Sequence, residues 1–410
     1  MIRRFLLLFL HLVFCYSLSA QNGREWQKEL DRILSRYTDS ALIPGAVLQV
    51  KKGPDILYRK AVGYATRFDS AGKRLKKPEK MTEGHLFDIA SLSKVIATTT
   101  AIMWLADKGM LQPDDPVYKF IPAFYTGEKK KITIRHLLTH TSGMYEWYPL
   151  YYRSDRRETT YGLIASLPLK YPVGKERHYS DLGFIVLGQI IETLSGQSLA
   201  NFTAEHIFRP LGMEQTLYRP KGKYRGPIAP TSFGNPYEYR MVHDSSLGFV
   251  FSEIRPDQWN GWRKHLLRGE VNDGNCWYAC GGVNGAAGLF STVDDLQQLL
   301  DMLLRPDTSP SEIPELISPK TRSLFLQQDS FQNGLGWMMD PANSFMKNAP
   351  GGSFGHTGFT GTSILVVPSR QLSVILLVNR QQRGLLPSRD YYNLNPLRRQ
   401  LAETVLKAVN

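Results

Sequence analysis

A chain of 410 residues, 42% of them hydrophobic and 21% charged, can bury a large core and is too apolar to remain disordered. Its formal charge of +13 is scattered over short runs such as Lys51-Lys52, Lys73-Arg74, Lys76-Lys77, Lys129-Lys130-Lys131 and Arg156-Arg157. With no nucleic-acid motif beside them, these runs read as solvated loops and faces, which excludes nucleic acid as an expected partner.

The first residues, Met1-Ile2-Arg3-Arg4, are followed by an apolar run over 5–16 and by Ser17-Leu18-Ser19-Ala20. That order of charged, apolar and small residues is a secretory signal peptide over 1–20, cleaved after Ala20, and the run falls short of the about 20 apolar residues a membrane span needs. The expected product, 21–410, is secreted or periplasmic, with no integral membrane segment once the signal is removed. Two cysteines remain in it, Cys276 and Cys280, in a Gly-rich segment read as non-helical. A local disulfide and two unpaired thiols are both open readings, and no His or Cys cluster beside them suggests zinc.

An amphipathic helix is predicted over 25–36, where Trp26, Leu30, Ile33 and Leu34 recur at helical spacing. A β-hairpin follows, with strands over 45–50 and 56–64 around Gly53-Pro54-Asp55. The middle of the chain is mostly helical: 92–108, 134–139, 182–194 and 293–304, with Gly109, Gly196 and Pro306 as stops and Thr292 in a capping segment. A second strand pair spans 362–367 and 372–378. A closing helix then carries Leu397, Leu401, Val405 and Val409, with Asn395 as the expected N-cap and Pro396 at the first helical position. Strands from both ends should therefore form one mostly antiparallel sheet, flanked by the terminal helices, with a helical section of about 100–320 inserted between them, an α/β (α+β) fold.

Three short stretches carry chemistry. Ser91-Leu92-Ser93-Lys94 opens a helix, which places free N–H groups and the positive end of the helix dipole at Ser91, with Lys94 one turn on along the same face. A serine hydroxyl needs a neighbouring base to become a nucleophile, and a desolvated lysine can supply it. Tyr179-Ser180-Asp181 opens a later helix. A tyrosine held as phenolate by adjacent cations can take the serine proton and return it to a leaving group, although the bland reading is a helix terminus capped by Asp181. Phe354-Gly355-His356-Thr357-Gly358-Phe359 enters a strand. Its glycines allow a substrate backbone to approach, and the Phe359 N–H can pair with that of Ser91 as an oxyanion hole. His356 and Thr357 can bind a substrate carboxylate or position Tyr179. Each stretch is weak alone; their order and context strengthen all three.

With these motifs in that order, the chain resembles the class C β-lactamase and D-alanyl-D-alanine carboxypeptidase superfamily, serine peptidase family S12, which uses Ser-x-x-Lys, Tyr-x-Asn and Lys/His-Thr-Gly. The resemblance runs over about 43–406 and includes Ile43-Pro44-Gly45-Ala46-Val47, the stretch 133–143, and Gly281-Gly282-Val283 through Thr292. It implies a β-lactamase/transpeptidase-like fold, Ser91 as the acylated residue, Lys94 as its partner, Tyr179 as general base and acid, and Asp181, His356, Thr357, Gly358 and Phe359 at the substrate. It also implies no metal and no organic cofactor. His136, His140 and Ser142 match a stretch read as structural.

Two departures stand out. Asp181 replaces the usual Asn, which should hold Lys94 charged more firmly and repel an anionic substrate. His356 replaces the lysine of true class C β-lactamases and offers a weaker, pH-dependent positive charge. Both weigh against efficient β-lactam hydrolysis. The leading expectation is a secreted serine hydrolase acting through a Ser91 acyl-enzyme on a D-amino-acid peptide, a cell-wall peptide or a carboxylic ester, with the aromatic segment 145–152 walling the cleft. The competitors are a penicillin-binding sensor that is acylated but barely turns over, a β-lactamase, and a protein binding anionic cell-wall polymer through its basic surface.

Overall fold

The structure, a computed structural model, describes residues 25–306, 315–343 and 345–409. The signal-peptide segment 1–20 lies outside them. Among the described residues no single helix is long and apolar enough to cross a membrane.

The strands in chain order are β1 (Gly45–Lys52), β2 (Asp55–Phe68), β3 (Arg74–Lys80), β4 (Phe87–Asp88), β5 (Leu217–Tyr218), β6 (Leu289–Ser291), β7 (Phe354–Thr357), β8 (Ser363–Val367) and β9 (Leu372–Val378). The helices are α1 (25–39), α2 (Lys94–Thr99 continuing through Thr100–Asp107), α3 (Ile134–Leu138), α4 (Arg157–Ser166), α5 (Asp181–Ser195), α6 (Leu199–Thr203), α7 (Pro236–His243), α8 (Val293–Leu304), α9 (Pro319–Phe325) and α10 (Asn395–Ala408).

The two terminal strand pairs join as expected. β1 pairs with β9, and the antiparallel order β3-β2-β1-β9-β8-β7 makes one six-stranded sheet. Both faces of its centre are covered, which is why β1, β8 and β9 read as continuous apolar runs. Leu48, Val50, Leu365, Val367, Leu376 and Val378 pack against Leu30, Ile33 and Leu34 of α1 and Leu397, Leu401 and Val405 of α10. Their neighbours Val47, Ile364, Val366, Ile375 and Leu377 face the helical section. Burying each such side chain is worth about 1.5–3 kcal/mol, so the alternation itself fixes the register.

Three local expectations change. Asn395 is not the N-cap of α10 but lies in its first turn, after Leu394, and the Asn393 carboxamide oxygen accepts the Asn395 N–H at 3.0 Å. The cysteine segment is not irregular: Asn275–Ala279 forms one wide helical turn, and Cys276 and Cys280 are both free, buried thiols. The third change is a small sheet, β4-β6-β5, formed inside the helical section. It ends β4 three residues before Ser91 and so sets where that residue sits.

Candidate active site

Ser91 lies three residues after the end of β4 and precedes the first turn of α2. Ala90 is held at φ 47°, a left-handed conformation that costs a non-glycine residue about 1–2 kcal/mol. The surroundings stabilise that bend: the buried Asp88 carboxylate accepts the Ala90 N–H at 2.9 Å and the Asn272 N–H at 2.7 Å. Burial pushes the Asp88 carboxyl up to about 6. Beyond the bend, α2 opens as a wide turn over Lys94–Thr99, an irregularity often found at functional sites.

Lys94 is 1% exposed, and its Nζ donates to Ser91 Oγ at 3.0 Å and to the Ala286 carbonyl at 2.9 Å. The third contact is the Asp181 carboxylate at 2.7 Å. Burial pulls the ammonium pKa down, but the Asp181 carboxylate and Tyr179 outweigh it, so Lys94 ends above its ordinary value and is charged at rest. The loop carrying Ala286 can reach Nζ because Gly285 packs against α5, where a Cβ would collide with the Phe184 carbonyl.

Ser180, not Asp181, caps α5, its hydroxyl accepting the Gly183 N–H at 3.1 Å. This releases the Asp181 side chain to Lys94 and fixes Tyr179 just before the helix. Lys94 Nζ lies 5.1 Å from the centre of the Tyr179 ring. The Tyr179 pKa is raised, chiefly by burial, with Lys94 opposing and Asp181 reinforcing the shift, so Tyr179 is a neutral phenol at rest rather than the phenolate expected from sequence.

His140, read as structural, lies closer to this chemistry than expected. Its ring packs against that of Tyr179 at a tilt of 34°, with centroids 4.4 Å apart, and its Nδ1 accepts the Ser180 N–H at 3.0 Å. His356 lies on β7, 1% exposed, with its ring 6.0 Å from that of Tyr179 and its Nδ1 against the Thr357 carbonyl at 2.9 Å. Burial, with Lys94 adding to it, pushes the His356 imidazole down to about 3, which corrects the expected pH-dependent positive charge. A His356→Asn variant is therefore expected to keep the shape of the wild-type pH–rate profile between about pH 5 and 9. A step present in the wild type and absent from the variant would show that the imidazole titrates there.

Gly358 follows β7 and lies against Ile89, two residues before Ser91. A Cβ there would collide with Thr362 Oγ1 and the Ile89 carbonyl, so only glycine lets the strand lie this close to the segment before Ser91. Gly358→Ala should push the two apart, lower kcat/KM about a hundredfold, the scale of an ångström of misplacement, and lower stability by about 1–3 kcal/mol. Steady-state kinetics alongside a thermal melt would check it. The next residue, Phe359, turns its amide free: neither it nor the Ser91 amide meets an acceptor among the described residues.

Ser91, Lys94, Tyr179, Asp181 and Phe359 line one cavity of about 240 Å³. His356, Thr357 and Gly358 do not; they stand behind it. Of the aromatic segment 145–152, Trp147 reaches the cavity. Sequence reading missed the remainder of the wall, including Asn272, Asp273, Tyr237, Glu238 and Tyr391. No motif or periodicity marks those residues.

Residues 30–396 match the Beta-lactamase family. The chain belongs to that family. Over 395 residues it is 30% identical to the N-acetylmuramyl-L-alanine amidase of Bacillus subtilis (strain 168), covering 92% of this chain and 86% of the relative. Over 374 residues it is 32% identical to a protein of Escherichia coli (strain K12) named "Putative D-alanyl-D-alanine carboxypeptidase", covering 86% and 82%. Its fold is shared with EstCE1, described as a hydrolase with promiscuous acyltransferase activity, at a TM-score of 0.67 and 21% identity over 94% of this chain and 99% of that one. As a Beta-lactamase family member this chain is a serine hydrolase, with a neutral imidazole in the His-Thr-Gly stretch and a carboxylate clamped on Lys94.

Proposed function

We propose that the protein is an acyl-transfer hydrolase that cleaves an ester or amide through a Ser91 acyl-enzyme. The observation that carries this reading is the position of Lys94 Nζ, 3.0 Å from Ser91 Oγ and 2.7 Å from Asp181, at the wall of one cavity. Because Lys94 is charged at rest, it can take the Ser91 proton only by passing one of its own to Asp181 in the same step. Ser91 Oγ then bonds to the substrate carbonyl carbon, and the Ser91 and Phe359 amides receive the developing oxyanion. Tyr179, a neutral phenol, protonates the leaving group as its bond to that carbon breaks. Lys94 returns a proton to Tyr179 and recovers its own from Asp181, and water repeats the sequence to release the acyl group. The outer edge of β7, paired among the described residues only at Gly355 with Met338, offers backbone groups to an extended substrate.

The signal-peptide reading of 1–20, taken with the amidase and carboxypeptidase names of the two relatives, supports a cell-wall peptide, a D-amino-acid peptide or an extracellular ester as the proposed substrate. Intact-protein mass spectrometry after brief exposure to a p-nitrophenyl ester is the test. The expected result is a transient acyl adduct mapped to Ser91, with nitrophenol released beyond one equivalent; absence of both would overturn the reading. A second reading, a sensor that is acylated but releases its acyl group slowly, draws on the Lys94–Asp181 pair, which restrains Lys94 as a base. Stoichiometric, lasting labelling by a fluorescent penicillin would favour it.

A further inference from the structure

We infer that the cavity beside Ser91 selects substrates carrying an ammonium group and disfavours those presenting a carboxylate there. This rests on the acyl-enzyme reading above and specifies the substrate class of the same site.

The first observation is the charge carried by the wall. Among the described residues, Lys94 is its one cation, set against the carboxyl groups of Asp181, Asp273 and Glu238. Asp181 is committed to Lys94. Among the described residues Asp273 and Glu238 have no cation within ion-pair distance: Asp273 accepts the Cys276 N–H at 2.6 Å and Glu238 accepts the Gly274 N–H at 2.8 Å. Burial raises the pKa of both, and each is pushed further by a neighbouring carboxylate, Asp273 by Asp181 and Glu238 by Asp273. Pushed up to about 8, Glu238 holds its proton near neutral pH in the empty cavity, while Asp273, pushed up to about 6, is largely ionised; a bound cation would meet the Asp273 charge and favour ionisation of Glu238, and a bound anion would oppose both.

The second observation is that Arg263 and Arg380, two further cations of this region, are turned elsewhere. Arg263, which acts on Glu238 through space, gives Nε to Asn235 Oδ1 at 3.2 Å and Nη2 to the Val271 carbonyl at 2.8 Å. Arg380 donates to the Phe359 and Tyr392 carbonyls. Neither lines the cavity, and His356, the residue expected to meet a substrate carboxylate, is neutral and behind Tyr179.

The third is the remainder of the wall. Tyr237 stands 5.3 Å from Phe359 and 5.9 Å from Tyr391, and Trp147 stands 5.4 Å from Phe249. Aromatic faces beside carboxylates suit an alkylammonium, whose charge and methylenes both find partners. A metal ion is a poorer occupant, since no three His, Cys, Asp or Glu side chains among the described residues converge to hold one.

The test compares p-nitrophenyl esters of matched length whose acyl chains end in an ammonium, a methyl or a carboxylate group. In parallel, benzylammonium is compared with benzyl alcohol as a competitive inhibitor of the wild-type protein. The expected kcat/KM is about tenfold higher for the ammonium than for the methyl ester and about tenfold lower for the carboxylate, with benzylammonium binding about tenfold tighter than the alcohol. Asp273→Asn, and separately Glu238→Gln, should shrink the ammonium-to-methyl ratio. Equal rates for the three esters with equal inhibition by the two benzyl compounds would overturn the inference and leave the hydrolase reading standing. Failure to hydrolyse any of the esters or to form an adduct would overturn the hydrolase reading and the inference with it.

Discussion

Replacing Ser91 by alanine is expected to reduce ester hydrolysis about 10⁴- to 10⁶-fold and to eliminate the acyl adduct, while the melting temperature stays at the wild-type value. The size follows from the absence of a substitute. Lys94 is charged at rest and Tyr179 is a neutral phenol, so neither offers a free electron pair of comparable reactivity to a substrate carbonyl. The fold should tolerate the change because Ser91 is partly exposed and its hydroxyl is one of three partners of Lys94 Nζ. With it gone, the ammonium keeps the Ala286 carbonyl at 2.9 Å and Asp181 at 2.7 Å, so no buried charge is orphaned. Hydrolysis of a p-nitrophenyl ester by the variant, followed beside a thermal melt, decides the matter. More than about 1% of wild-type kcat/KM in Ser91→Ala would move the nucleophile elsewhere.

What could be read in the sequence, and what could not, divides along a physical line. β1, β8 and β9 were legible because both their faces are buried, leaving apolar runs bounded by Gly, Pro and Ser. α5 was legible because its stop, Gly196, adopts φ 68° at the helix C-terminus. By contrast β3, with the sequence RLKKPEK, lies on a sheet edge, where charge and proline oppose unwanted pairing and remove the apolar signal. β4, β5 and β6 have only two or three residues each, too few for any period. Within the site, Ser91, Lys94 and Tyr179 were found from chemistry placed at helix starts. Asp273, Glu238 and Tyr391 lie in separate loops or at a short helix and meet only after folding, so nothing local announced them. The charge states were legible only in part. Asp181 was rightly expected to hold Lys94 protonated, whereas the burial that keeps Tyr179 and His356 neutral depends on neighbours distant in sequence.

Lys94 and Asp181 should show opposite patterns in stability and activity. Lys94→Met is expected to lower kcat/KM about 10³-fold, the usual scale for loss of a positioned base. Its cost in stability should be modest, about 1–2 kcal/mol, because the Asp181 side chain it leaves behind is 24% exposed and can recover water. Asp181→Asn leaves Lys94, 1% exposed, as a cation with only neutral acceptors, and should cost about 3 kcal/mol or more near neutral pH. Combining the two should recover most of the stability lost in Asp181→Asn without restoring activity, since the double variant buries no unpaired charge.

The pH dependence gives the mechanistic arm of the same experiment. In the wild type the folded-state pKa of Lys94 lies above its unfolded value, so the pair's contribution is complete below the unfolded pKa and is lost only as pH rises through the folded one. Over about pH 6 to 10 the wild-type kcat should therefore show no step from Lys94. Without Asp181, burial becomes the dominant influence and draws the ammonium pKa down. The kcat of Asp181→Asn should then rise with pH in that interval as the free amine appears and takes the Ser91 proton without needing a carboxylate to receive its own. A profile for Asp181→Asn that stays as flat as the wild type would mean that Asp181 does not hold the proton on Lys94, and the coupled transfer through this pair would have to be abandoned.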